Sequence, residues 1–300
     1  MFDDPSVPRL DCAGRVLVLD RPRIMGIVNV TPDSFSDGGR LDTPEAAIAH
    51  GLALVEAGAD LLDVGGESTR PGAQDVSGDD ELARVLPVIE GLLARTSVPV
   101  SVDTSKAPVM RAALAAGAGL VNDVYALRRE GALEAVAEAG VPVVLMHMQG
   151  EPRSMQEAPE YHDVVAEVHA FLAQRVFACE MAGIPKSRLV LDPGFGFGKT
   201  LEHNLALLAR LDRFGDLGCP VLAGLSRKRM IGELTGREVD DRIAGSTAAA
   251  LIAVQRGARI LRVHDVAATR DMLQVWVAVD GQPLPRVSKA SAAPRWPDDE

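Results

Sequence analysis

Polar side chains able to do chemistry recur in this sequence in one setting, at the end of a short apolar, β-branched run. Asn29 follows the run 24–28, Asp63 sits within 61–64, and Asp103 follows 98–102. Asn122 follows Leu120 and Val121, His147 follows 143–146, and Asp192 follows 189–191. Lys228 lies just beyond 221–223, and Arg262 and His264 flank Val263 after Ile260 and Leu261. Asp103, Asn122 and Asp192 supply paired acceptors and donors of the kind that read the amino-pyrimidinone edge of a flat nitrogen heterocycle. Arg70, Lys228, Arg262 and His264, with Ser and Thr hydroxyls beside them, make a local anion site suited to phosphate or pyrophosphate oxygens. Taken singly, each has an ordinary structural reading, with Asp63 as a loop cap, Asn122 and Asp123 as turn residues and His147 as a hydrogen-bonded packing group. It is their repetition at successive strand ends that argues for one site.

The remaining composition narrows the partners. The chain has 300 residues, 47% of them hydrophobic, enough for one large core. A formal net charge of −11 argues against a general nucleic-acid or anionic-membrane surface, so the anion site is local and the partner small. Cys12, Cys179 and Cys219 are odd in number and far apart, as expected of reduced thiols in a cytoplasmic protein. No run is apolar for long enough to span a bilayer, and the N-terminus does not read as a secretory leader. The stretch Gly194-Phe195-Gly196-Phe197-Gly198-Lys199-Thr200 invites comparison with a phosphate-cradling P-loop, but the glycine that such a loop needs five residues before its Gly-Lys pair is Pro193 here.

The elements that must position these residues are legible from their periods. Thr43 as N-cap, Pro44 at the first position and the series Ala47, Ile48, Leu52 and Val55 predict a helix ending at Gly58. Asp79 and Asp80 head a second, with Leu82, Val85, Leu86, Ile89, Leu92 and Leu93 as its apolar face. A third covers 107–116, and Val164, Val168, Phe171, Leu172 and Val176 mark the longest, stopped by Gly183. Eight buried strands, each needing a helical crossover to its parallel neighbour, predict an α/β fold of the (β/α)8 TIM-barrel type in a single domain. Residues 1–23 form an N-terminal extension, in which Val16 and Val18 alternate with Leu17 and Leu19 as a short hairpin-like plug for the barrel's N-terminal end. Residues 24–280 form the barrel, and 281–300, rich in Ser, Ala, Pro and acid, a flexible tail. In such a barrel the loops after the strands share one rim, which brings the scattered polar residues together.

Six motifs in order carry a resemblance. They are the stretch 25–39, Gly65-Gly66-Glu67-Ser68-Thr69-Arg70-Pro71-Gly72, Ser101-Val102-Asp103-Thr104-Ser105-Lys106, Leu191-Asp192-Pro193-Gly194-Phe195-Gly196-Phe197-Gly198-Lys199, Ser226-Arg227-Lys228 and Arg262-Val263-His264-Asp265. Together they resemble the bacterial dihydropteroate synthase family over about residues 24–279. The resemblance implies a homodimeric barrel that condenses a (7,8-dihydropterin-6-yl)methyl diphosphate with 4-aminobenzoate in folate synthesis, with Mg²⁺ as cofactor and sulfonamides as competitors of the second substrate. It implies that Asp103, Asn122, Met146, Asp192, Gly224 and Lys228 bind the pterin. Asn29, Thr69, Arg70, Arg262 and His264 would bind the diphosphate, Asn29 also meeting the metal. Phe35, Thr69, Pro71, Phe197, Ser226 and Lys228 would bind the aminobenzoate, while Asp103, Lys228, Asp37 and Arg70 act in catalysis. The expected mechanism is SN1-like, with a pterin methylene cation over Asp103. Two alternatives share the ring-reading group: a methyltetrahydrofolate-type methyltransferase, which has no need of Phe35, Asp37 or the 69–71 loop, and a non-catalytic pterin-binding paralogue, in which loop one, Arg262 or His264 would be eroded.

Overall fold

The computed structural model describes residues 7–30, 43–68, 75–150, 155 and 159–280. Phe35, Asp37, Thr69, Arg70, Pro71 and the tail 281–300 lie outside the described residues. A two-stranded antiparallel hairpin, β1 (Arg9–Cys12) and β2 (Arg15–Val18), precedes eight parallel strands that close into a barrel. These are β3 (Arg23–Asn29), β4 (Leu61–Gly65), β5 (Val100–Asp103), β6 (Leu120–Asp123), β7 (Val143–Met146), β8 (Leu189–Asp192), β9 (Val221–Ala223) and β10 (Ala258–Val263). Closure is through β10 and β3, with Arg262 paired in register to Met25.

The helices alternate with these strands: α1 (Pro44–Ala57), α2 (Gly78–Leu93), α3 (Ala107–Ala115), α4 (Ala132–Ala139), α5 (Val164–Met181), α6 (Leu201–Ala209), α7 (Arg229–Thr235), α8 (Ile243–Gln255) and α9 (Val266–Asp280). Thr43 caps α1 by accepting from Ala46 N at 3.2 Å, and Gly58 ends it in the left-handed region. In α2 the buried stripe is Val85, Val88, Ile89 and Leu92, with Leu82, Leu86 and Leu93 only half-buried. That face is rotated from the sequence-based one because Val88, not Leu86, meets the sheet. The third barrel strand begins at Val100 rather than 98, since Pro99 has no N–H to give to the ladder. Between β9 and α8 stands one short helix more than a strand-helix repeat requires, α7.

Strand alternation sorts the barrel into two faces. Outward residues, including Val28, Leu62, Val64, Val100, Val102, Val121, Val143, Leu189, Leu191, Val221 and Leu261, pack under the helices in the main core. Inward residues Met25, Leu61, Leu120, Val144, Val190, Leu222 and Ile260 form a separate apolar layer with Leu10, Cys12, Leu17 and Leu19 of the hairpin. Two residues further along, the inward positions are Ile27, Asp63, Asn122, Met146, Asp192, Gly224 and Arg262. One step of the pleat thus turns an apolar floor into a mouth that is polar except at Ile27 and Met146.

The hairpin sits so close to β6 that a Cβ on Gly119 would lie 2.4 Å from the Cys12 carbonyl oxygen. Gly119→Ala therefore forces backbone apart and should cost about 1–3 kcal/mol, as overpacking does. A lowered thermal midpoint checks this, and an unchanged one would contradict the close docking.

Candidate active site

The barrel mouth is built on Asp63, whose buried carboxylate accepts from two sides. Its Oδ2 takes Asn122 Nδ2 at 2.9 Å and Arg262 Nε at 2.6 Å. Arg262 reaches from β10 across the mouth and gives Nη2 to Asp103 Oδ2 at 2.7 Å. One guanidinium thus bridges β4 and β5, and its Nη1 has no hydrogen-bond partner among the described residues. Burial drives the Asp103 carboxyl upward against the pull of Arg262, and Asp63 adds to the rise. Burial alone would lower the Arg262 guanidinium, but the Asp63 and Asp103 carboxylates outweigh it and hold the charge more firmly.

Asp192 and Lys228 form the opposite side. Asp192 Oδ1 accepts from Gly194 N at 2.8 Å, and burial raises this carboxyl while Lys228 lowers it. Lys228 Nζ donates to the Phe195 carbonyl and stands 4.3 Å from the centre of the Phe197 ring. Burial lowers the Lys228 ammonium to about 8, with Asp192 opposing the fall. A Cβ on Gly224 would lie 4.0 Å from both Asp192 Oδ2 and the Arg262 Cβ, so the missing side chain keeps the floor between them open. Met146 packs with Val124, Tyr125, Met148 and Met155, and Phe197 lies against this group, giving the mouth one apolar wall.

Higher on the rim, Ser226 Oγ meets His264 Nδ1 at 3.1 Å and accepts from His264 N at 3.2 Å, tying the ends of two strands. Arg227 holds a left-handed φ of 57° and binds Asp265 through Nε at 2.9 Å and Nη2 at 2.6 Å. That bidentate pair anchors the turn carrying Ser226 and Lys228. On the facing rim a Cβ on Gly65 would lie 3.4 Å from Asp103 Cβ and 3.8 Å from Asn29 Oδ1, so Asn29 and Asp103 face one opening. No described residue hydrogen-bonds the Asn29 side chain. The structure thus brings together Asn29, Asp63, Asp103, Asn122, Met146, Asp192, Phe197, Gly224, Ser226, Lys228, Arg262 and His264.

His147 does not join them. Its ring is buried, packs edge-on to Phe171 at 4.9 Å and lies with Nδ1 3.0 Å from Lys199 Nζ. Burial, then Lys199 and Arg128, push its pKa down to about 3, so it is a neutral packing group. Nor is the 194–200 loop a phosphate cradle: Lys199 is turned inward and 3% exposed. Sequence reasoning missed Lys199; Asp123 is the turn residue its position allowed, its carboxylate accepting from Tyr125 N, Leu127 N and the Ser105 hydroxyl. A buried lysine has no local signature. Asp123 gave one, standing beside Asn122 with outward parity.

The proteins this chain is similar to agree with that geometry. A family described as pterin binding enzymes matches residues 25–264. The dihydropteroate synthase of Escherichia coli K12 is 52% identical over 267 residues, 89% of this chain and 95% of that protein. The Xanthomonas albilineans dihydropteroate synthase, solved with 4-aminobenzoic acid, superposes at a TM-score of 0.88 with 67% identity, covering 93% of this chain and all (100%) of that one. The same enzyme with 7,8-dihydropteroate gives 0.85 at 65% identity, over 92% of this chain and 100% of that one. The Yersinia pestis dihydropteroate synthase with a sulfonamide drug gives 0.89 at 48% identity, over 91% of this chain and 100% of that one. With an inward polar mouth on a closed barrel and these matches along nearly its whole described length, the chain belongs to the dihydropteroate synthase family of pterin-binding enzymes.

Proposed function

We propose that the protein condenses (7,8-dihydropterin-6-yl)methyl diphosphate with 4-aminobenzoate to give 7,8-dihydropteroate and diphosphate. The observation that carries this reading is the division of one mouth into a ring-reading base, Asp103, Asn122 and Asp192, with Asp63 joined to Asn122 and through Arg262 to Asp103, and an apolar side formed by Phe197 beneath the Lys228 ammonium. The base offers acceptors and an amide donor to the pterin edge, and Met146 and Gly224 give the flat ring its room. The Phe197 ring and Ser226 suit the flat, carboxylate-bearing aminobenzoate, a pocket to which the family resemblance also assigns Phe35, Thr69 and Pro71. Sulfonamides would compete there.

In the reaction the methylene–oxygen bond to diphosphate breaks and a methylene–nitrogen bond to the aniline forms, the aniline then losing a proton. The bond broken first leaves positive charge on the pterin methylene, in an SN1-like sequence. Asp103 lies in the same buried group as Asp63 and Arg262 and would hold that charge. A cation forming beside a raised carboxyl favours its ionised form, so the reacting complex selects the carboxylate. Arg262, by its open Nη1, and His264, with Thr69 and Arg70, would bind the diphosphate, and Asp37 and Arg70 would act from the loops. Asn29, whose Oδ1 stands at the opening beside Gly65, would offer Mg²⁺ one hard oxygen. Bound there, Mg²⁺ would supply charge neutralisation for the leaving group.

The same reading makes the protein cytoplasmic and homodimeric. Buried free thiols at Cys12, Cys179 and Cys219 suit a reducing compartment, and no described helix is long and apolar enough to cross a membrane. Exposed Leu234, Val239, Ile243 and Ile252 on and around α7 and α8 offer an apolar face for a twofold partner, which sedimentation would test.

Pyrophosphate release from dihydropterin diphosphate, measured with and without 4-aminobenzoate and with a sulfonamide, tests the function. Release coupled to dihydropteroate and blocked by the sulfonamide is expected; tight pterin binding without condensation would point instead to the methyl-transfer relative or the non-catalytic paralogue. Asp103→Asn should lower kcat by about 10²–10³ while pterin affinity changes little, and equal losses in both would remove the cation role. Since Lys228 is charged below about 8 and neutral above, kcat/KM should fall as pH rises through that value. Lys228→Arg, always charged, should abolish the alkaline limb; a limb that persists would belong to another group.

A further inference from the structure

The loop between β8 and α6 holds two lysines by its carbonyl oxygens. Gly194, Gly196 and Gly198 all have left-handed φ, at 71°, 80° and 60°, and this alternation turns the carbonyls between them toward the interior. Side chains are excluded at both ends: a Cβ at Gly194 would lie 1.9 Å from the His147 carbonyl oxygen and one at Gly198 2.4 Å from that of Gln149. The loop therefore lies directly on the backbone that follows β7.

Lys199 fills the space beneath it. Its Nζ donates to the carbonyls of Gly194 and Phe197, each at 2.9 Å, and of His147 at 3.3 Å, with His147 Nδ1 at 3.0 Å. A lysine amine gives at most three hydrogen bonds, so these partners engage it fully, and burial pushes its affinity for a proton well below the usual lysine range. Between the two loop carbonyls it holds lies Phe195, whose own carbonyl takes Lys228 Nζ, and Phe197 is the ring over which Lys228 stands. The rest of the loop is pinned from outside: Gly196 N donates to Asn204 Oδ1 at 2.7 Å and Tyr161 Oη to the Gly198 carbonyl at 2.9 Å.

We propose that Lys199 is a positioning residue for the condensation: its buried ammonium gathers the carbonyls of His147, Gly194 and Phe197, so that the loop presents the Phe195 carbonyl and the Phe197 ring to Lys228. Lys199 touches neither substrate. It acts through Lys228 and Phe197, at the boundary of the ring-reading base and the aminobenzoate side. An apolar residue of similar length would take the Lys199 donor from the buried His147 and Phe197 carbonyls and leave Gly194 O with only Phe197 N, at 3.1 Å, and the loop would shift to find others. Displacement of about 1 Å at a reacting site is enough to cost on the order of 10²-fold in rate.

This inference rests on the function proposed above, and the test separates the two. Lys199→Met should raise KM for 4-aminobenzoate and lower kcat/KM about 10- to 100-fold. In a Phe197→Ala background the same substitution should cost less, because the part of its route that runs through the Phe197 ring is already cut. Equal losses in both backgrounds would overturn the proposal and leave Lys199 a stability residue. If Lys199→Met does not fold, Lys199→Gln, which keeps two donors for the loop, carries the same comparison. Should the unsubstituted protein form no dihydropteroate, the functional reading fails by itself. The ¹⁵N titration of Lys228, which needs no substrate, then decides: a shift on replacing Lys199 supports the positioning role, and an unmoved titration rejects it.

Discussion

The constraint on which the rest depends is the two-residue period of a β-strand inside a closed barrel. Closure fixes which residues face inward, and strand direction sets successive inward residues in order from the hairpin end to the mouth. Met25, Leu61, Val144 and Ile260 are apolar together because they pack in one layer with the hairpin. Asp63, Asn122, Asp192 and Arg262 are free to be polar because each stands two residues further along its strand, beyond Leu61, Leu120, Val190 and Ile260. A shift of one residue in any strand would exchange core and site for that strand alone, placing a valine in the mouth and a carboxylate under a helix. Recognition and stability are thus specified by adjacent positions on the same strands, and neither can drift in register without the other.

Polarity at the second level brings a charge problem that the mouth solves by sharing. A buried ion is tolerated when it is paired and its remaining hydrogen-bonding positions are filled. Arg262 meets two carboxylates, and Asp63 meets an amide as well. Asp63 Oδ1 and Ser101 Oγ, neighbours in register on β4 and β5, are left buried without a partner among the described residues. Lys199 is compensated differently, by carbonyl dipoles and an imidazole. The site's cations are held in place before any substrate arrives, which is where an electrostatic catalyst gains over water.

What the sequence made legible was local. Short apolar runs ending in polar residues, and the helical periods between them, were enough to give the barrel and the level at which Asp63, Asn122 and Asp192 stand. Thr43, Pro44 and Gly58 marked the bounds of α1 because capping is decided within a few residues. Partner choice was not legible. Arg262 and Asp63 are 199 positions apart, and nothing local says that the arginine turns down to a carboxylate rather than up to an anion. Lys199 and His147 were opaque for the same reason: Lys199 follows a glycine pattern common to exposed loops, and His147 stands at a strand end like the site residues but turns into the packing beneath them. The short α7 likewise follows from how β9 meets α8 in space.

The hairpin beneath the barrel has a consequence of a different kind. Leu10, Leu17 and Leu19 close one end of the axis with hydrocarbon, so among the described residues the polar chamber has no opening toward the hairpin. Any molecule that reaches Asp63 and Asn122 therefore comes from the end where the strands terminate, away from the hairpin.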